Sequence, residues 1–139
     1  MVLLDTHVWV WMAAGDARRI GRRARQFIVR AQSLGLVRIS PVSIFELTAL
    51  NTLGRLSLAI PVAAWVAEAL DATAARLSPL SVGVALEAGA ISREALADPF
   101  DRLLVATARD GQGTIVTADD RILDYAARTS AVRARDARR

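Results

Sequence analysis

Residues 98 to 121, DPFDRLLVATARDGQGTIVTADDR, decide the fold. An aspartate oxygen at Asp98 caps the free N–H groups of a helix, and Pro99 at the first helical position has no N–H to leave unpaired, so a helix starts here. Asp101 falls in its first turn. After Phe100, Leu103, Leu104, Ala106 and Ala108 keep helical spacing until Gly111 and Gly113 stop it, and Thr114-Ile115-Val116 reads as a short buried strand. Asp119 and Asp120 follow that strand at once. A helix, a tight return and a parallel strand bring the start of the helix and the end of the strand to one edge of a sheet. Carboxylates far apart in sequence therefore meet.

The same alternation extends in both directions. Val2-Leu3-Leu4 is a short apolar strand ending at Asp5, and a helical pattern follows from Thr6 to Gly15. Residues 17 to 34 place Ile20, Ala24, Phe27, Ile28, Ala31 and Leu34 on one helix face, with Arg18, Arg19, Arg22, Arg23, Arg25 and Arg30 largely on the other. Residues 36 to 39 form a second strand, Ser40-Pro41 opens a helix running to about Gly54, and another helix begins at Pro61. A third strand is expected over Leu77 to Leu80, short helices over 82 to 90 and 92 to 97, a last helix around Ile122 to Tyr125, and an edge strand over Ser130 to Arg135. Strands alternating with helices predict an α/β fold, a parallel sheet of four to five strands with helices on both faces. One domain over residues 1–135 is expected, with 136–139 a frayed tail.

Composition narrows the function. At 139 residues and 53% hydrophobic content, one core is easily filled. The longest charge-free apolar stretch, Leu56 to Ala67, is broken by Pro61 and too short to span a bilayer, so a soluble, unprocessed, cytoplasmic protein is expected. With no cysteine, disulfides and thiolate metal sites are excluded. All eighteen basic residues are arginine, and the net charge is +4. The arginine helix is either a solvated face or a surface for a phosphate-bearing or acidic partner.

Acidic residues recur at matching places: Asp5 after the first strand, Glu46 in the helix after the second, Asp101 at the start of the helix leading into the fourth, and Asp119 after that strand. The carboxyl ends of parallel strands define one crevice. Carboxylates gathered there repel one another unless a cation joins them, and hard oxygen donors without a Cys or His cluster select magnesium or manganese. Such an ion activates water and offsets phosphodiester charge, which points to metal-assisted phosphodiester hydrolysis. Each acid also has a local reading. Ser43 and Glu46 fit a capping box, and Asp98, Asp119 or Asp120 fit helix caps or turns.

Leu3-Leu4-Asp5-Thr6-His7-Val8-Trp9, Ser40 to Leu47 (SPVSIFEL), Asp98 to Leu104 (DPFDRLL) and Thr117-Ala118-Asp119 resemble, in order and over nearly the whole chain, the four motifs of PIN domains, specifically the VapC-type toxins of bacterial toxin-antitoxin pairs. The resemblance implies a three-layer PIN-like fold and a magnesium-dependent ribonuclease, with manganese as the other candidate ion. It implies metal-binding and catalytic roles for Asp5, Glu46, Asp101 and Asp119, hydrogen-bonding support from Thr6 and Thr117, and an outer role for Asp98. Asp120 adjoins the matched fourth position and competes with Asp119 for it. RNA as substrate, a cognate antitoxin as inhibitor and a homodimer as the assembly are implied likewise, with no membrane association.

Two related chemistries are excluded by the absence of lysine. A receiver domain and a haloacid-dehalogenase-like phosphatase both need one, and the phosphatase also wants an aspartate where His7 stands. The remaining rival is a non-catalytic binding module whose acids are only caps and whose arginine helix docks an acidic partner.

Overall fold

The computed structural model describes residues 1–16 and 18–139. Ala17, the first residue of the expected arginine helix, lies outside them. Strand β1 (Val2–Leu4) leads into helix α1 (Thr6–Ala13), and α2 (Arg22–Ser33) leads into β2 (Val37–Ile39). Helices α3 (Pro41–Thr52) and α4 (Val62–Ala72) precede β3 (Arg76–Leu77). The chain continues through α5 (Val82–Ala90), α6 (Pro99–Asp110), β4 (Thr114–Thr117), α7 (Asp120–Thr129) and β5 (Arg133–Asp136). The five strands pair in the order β3-β2-β1-β4-β5, every pair parallel. The chain moves outward from β1 to β3 and then resumes on the other side at β4, so the strand order reverses between β1 and β4. Open parallel sheets bind ligands at such a point, outside the carboxyl ends of the strands.

Side chains alternate across a strand, and here the alternation fills two cores. Val2, Leu4, Val37, Ile39 and Val116 point to one face, where Trp9 of α1, Ala24 and Ile28 of α2, Leu47 of α3 and Ala69 of α4 pack on them. Leu3 and Ile115 point the other way, onto Leu104, Val105 and Ala108 of α6 and Ile122 and Tyr125 of α7. The result is three layers. Trp9 is fully buried, meets Trp65 edge-on at 5.3 Å between ring centroids, and donates its indole N–H to Thr73 Oγ1 at 3.3 Å.

Several boundaries differ from the sequence expectation, each for a local reason. The third strand is Arg76–Leu77, not 77 to 80: Ser78 N still bonds Ile39 O at 2.8 Å, but Pro79 has no N–H to continue the ladder. Residues 92–97 form a turn instead of a helix. Only six residues separate Ile91 from the cap Asp98, too few to repay helix nucleation, and a single turn is held by Ala95 N and Leu96 N on Ser92 O. The edge strand starts at Arg133 because Ser130, with φ of 52°, is the left-handed residue that ends α7.

The residues after Arg135, expected to fray, are held. Asp136 closes β5, Ala137 is fully buried and donates to Thr117 O, and the carbonyls of Ala137 and Arg139 accept from Gly21 N and Ala24 N at 2.8 Å each. A Cβ at Gly21 would lie 2.3 Å from the backbone of Arg139. That glycine lets the end of the chain dock on the start of α2, which is why this helix begins at Arg22.

Candidate active site

Each acid is delivered to the switch point by the end of a strand or the start of a helix at that edge. Asp5 follows β1 and caps α1, accepting from Thr6 N at 2.7 Å through Oδ1, while Thr117 Oγ1 donates to its Oδ2. Asp98 caps α6, accepting from Phe100 N at 2.8 Å, and Asp119 caps α7, accepting from Arg121 N at 2.8 Å. These three acids combine the local reading and the site reading, because in a parallel sheet a helix that follows a strand and a helix that leads into one both begin at the carboxyl edge. Glu46 and Asp101 cap nothing. The cap of α3 is Ser40, whose Oγ accepts from Val42 N at 3.2 Å, so the Ser43–Glu46 capping box is not formed. Helix α3 carries Glu46 more than a turn further on, where Thr6 reaches it.

Thr6 Oγ1 lies 2.9 Å from both Glu46 Oε1 and Ser43 Oγ. A hydroxyl has one proton and a carboxylate only accepts, so Thr6 donates to Glu46 and Ser43 supplies its own proton to Thr6. Thr117 is equally committed: its Oγ1 donates to Asp5 and accepts from Asp119 N at 2.9 Å. Both threonines are buried, and each fixes an acid named from the sequence.

Asp5, Glu46, Asp98, Asp101 and Asp119 line one cleft of about 330 Å³, with His7, Trp11, Ala118 and Arg121. Asp120 turns away, bonding Arg138 Nη2 at 2.6 Å on the exposed side, so of the two adjacent aspartates only Asp119 faces the cleft. Burial pushes the Asp5 and Glu46 carboxyls above the ordinary carboxylate range, against the hydrogen bonds from Thr117 and Thr6. Asp101 is pushed up to about 7, first by burial and then by the charges of Asp98, Asp119 and Asp5, with Arg121 opposing. Asp119 moves down, because Arg121 hydrogen-bonds to it.

These features suit a hard divalent cation. Asp101 is 8% exposed, and its Oδ2 is a buried oxygen without a hydrogen-bond partner. Among the described residues, no three Asp, Glu or His side chains stand ready to grip one ion together. Magnesium does not demand that, since it keeps several waters and takes one or two carboxylates directly. The donor set fits, and of the five acids in the cleft the four that the motifs mark, Asp5, Glu46, Asp101 and Asp119, could hold the ion directly or through its waters.

Sequence reasoning missed Arg121 and Trp11 as cleft residues. Arg121 left little signal: an arginine in the first turn of a helix opposes the helix dipole, but Arg22 and Arg23 open α2 in the same way. Trp11 had none, since a tryptophan on a helix as apolar as α1 reads as packing.

The PIN-domain family model matches residues 2–128. Ribonuclease VapC22 of Mycobacterium tuberculosis is 36% identical over 124 residues, covering 89% of this chain and 91% of that protein. Among solved structures, VapBC2 of Rickettsia felis bound to a promoter DNA fragment superposes with a TM-score of 0.66 at 14% identity, over 98% of both chains. DNA-bound VapBC of Salmonella typhimurium gives 0.65 at 20%, covering 97% of this chain and 96% of the other. At those identities the likeness is one of fold. The motif order, the cleft at the β1–β4 switch point, the family match and the VapC22 relative agree, and the chain belongs to the PIN-domain family.

Proposed function

We propose that this chain is the ribonuclease toxin of a toxin-antitoxin pair, hydrolysing RNA phosphodiester bonds with a divalent ion, magnesium or manganese, held by Asp5, Glu46, Asp101 and Asp119. The observation that carries the reading is the pair Glu46 and Asp101. Both are desolvated in the cleft, both titrate above the ordinary carboxylate value, and neither caps a helix. Carboxylates desolvated in a cleft and shifted by specific charged neighbours mark a functional site better than a structural one. The capping-module alternative accounts for Asp5, Asp98 and Asp119 and leaves these two without a role.

A bound divalent ion would supply activation of water and charge neutralisation on the phosphate. The chain's own residues do the rest. Thr117 and Thr6 orient Asp5 and Glu46, and Asp98 fixes the start of α6 so that Asp101 projects into the cleft. The exposed arginines of α2, with Ala24, Ile28 and Ala31 turned inward, offer a surface for RNA phosphates or for the antitoxin. The solved VapBC complexes support an antitoxin partner, and their toxin fold is the fold found here. We read the protein as a single-domain, cytoplasmic homodimer. Among the described residues, no helix is long and apolar enough to cross a membrane.

The test is cleavage of a mixed RNA substrate by purified protein with magnesium, with chelator, and as Asp5→Asn and Glu46→Gln. Cleavage should require the ion and fall by at least about 100-fold in either variant. Activity that survives chelation, or both variants cutting at the wild-type rate, would remove the metal-dependent nuclease reading.

A further inference from the structure

Arg121 is the second residue of α7, where the free backbone N–H groups already carry positive partial charge. Its side chain is 61% exposed, so solvent is available to it. It folds back into the acids instead. Nη2 lies 2.6 Å from Asp119 Oδ2, Nε lies 3.1 Å from Asp119 Oδ1, and Nη2 is 3.5 Å from Asp101 Oδ2. The planar fork therefore takes both oxygens of Asp119, the strongest geometry a guanidinium makes with a carboxylate. With Asp101 it makes only a long ion pair that does not satisfy the buried oxygen as a hydrogen bond. The other cleft residue able to carry positive charge is His7, so Arg121 is the permanent counter-charge to five carboxylates.

Resting on the reading that the cleft takes a divalent ion, we propose that Arg121 is a resident counter-cation that competes with that ion for Asp119 and Asp101, and so sets how tightly the ion binds. A divalent ion that takes an oxygen of Asp119 must displace one arm of the fork. The exposed side chain has room to swing outward when this happens. With the ion absent, the same contact screens the cluster and lets the fold tolerate it. Arg121 is thus a positioning residue, acting through Asp119 and Asp101.

The experiment is calorimetric titration of the full chain with Mn²⁺, as wild type, Arg121→Gln and Arg121→Lys. A parallel Mg²⁺ titration follows the Arg121 Nε–H resonance, assigned by its loss in Arg121→Lys. The Mn²⁺ Kd should fall by about tenfold in Arg121→Gln, equivalent to about 1.4 kcal/mol. Arg121→Lys, which keeps the charge and loses the fork, should lie between the two. The Nε–H signal should shift in step with Mg²⁺ saturation. Saturable binding with the same Kd in wild type and Arg121→Gln, or an Nε–H signal that stays put through Mg²⁺ saturation, overturns the competition while leaving the metal site standing. Absence of saturable Mn²⁺ binding in all three proteins overturns the metal site itself, and the competition with it.

Discussion

Asp101→Asn separates the charge of the cleft from its shape. In the folded protein this carboxyl titrates at about 7, against about 3.9 in an unfolded chain. Between those values the folded state holds more protons than the unfolded state, so stability without metal falls as pH rises through this window and is lowest above about pH 7. At about 1.4 kcal/mol per pH unit, ionising Asp101 in place costs at most roughly 4 kcal/mol. Solvent at the open side of the cleft screens this to roughly 1–2 kcal/mol. Asparagine keeps the size and removes the charge. At about pH 8 with chelator, the variant should therefore melt roughly 3–7 °C above wild type. At about pH 4, close to the unfolded value, neither state gains from ionising Asp101 and the gap should nearly close. Excess magnesium at about pH 8 should raise the wild type and leave the variant nearly unchanged. Thermal melts followed by circular dichroism measure all of this. A gap between the proteins of equal size at both pH values, or a variant less stable than wild type at the higher pH, would refute the electrostatic account.

Thr117→Val removes the donor to Asp5 and the acceptor for Asp119 N, so denaturant titration should show a loss of about 1–3 kcal/mol, with RNA cleavage falling as well. Trp9→Ala empties the centre of one core and should lower stability by about 3–5 kcal/mol, read as a large drop in the midpoint of a denaturant titration. Gly113→Ala would set a Cβ 2.5 Å from the Met1 carbonyl oxygen, forcing β4 from β1; a lower denaturant midpoint by about 1–3 kcal/mol checks it. Deleting residues 136–139 exposes the neighbours of buried Ala137 and frees Gly21 N and Ala24 N, so the urea midpoint should drop clearly, where a frayed tail would leave it unmoved.

The strands and the ends of strands were legible in the sequence because a short apolar run closed by an acid has few other uses. Val2-Leu3-Leu4-Asp5 and Thr114 to Asp119 gave the two central strands and two of the cleft acids. Glu46 was ambiguous for a local reason. Ser43 stands at capping-box spacing from it, and only the helix start at Pro41, with Ser40 as cap, shows that the real partner is Thr6, forty residues away. The tail was misjudged because its anchors, Thr117, Gly21 and Ala24, are distant in the chain and leave no periodic trace. Arg121 was hidden in the same way. Its meaning depends on Asp101, and that proximity exists because α6 and α7 both begin at the same sheet edge.

The helix caps at the cleft bear on the rigidity of the site. A carboxylate on the surface samples several rotamers, and ordering it around an ion opposes binding by up to roughly 1–2 kcal/mol. Asp5, Asp98 and Asp119 are already fixed by the backbone N–H groups of α1, α6 and α7, each of which occupies Oδ1. Their freedom is surrendered when the helices form, long before any cation arrives. The same residues thereby lock the frame and aim their remaining oxygens, so an alanine scan would confuse a loosened frame with a lost ligand. Amide substitutions, which keep the cap and delete the charge, read the two apart.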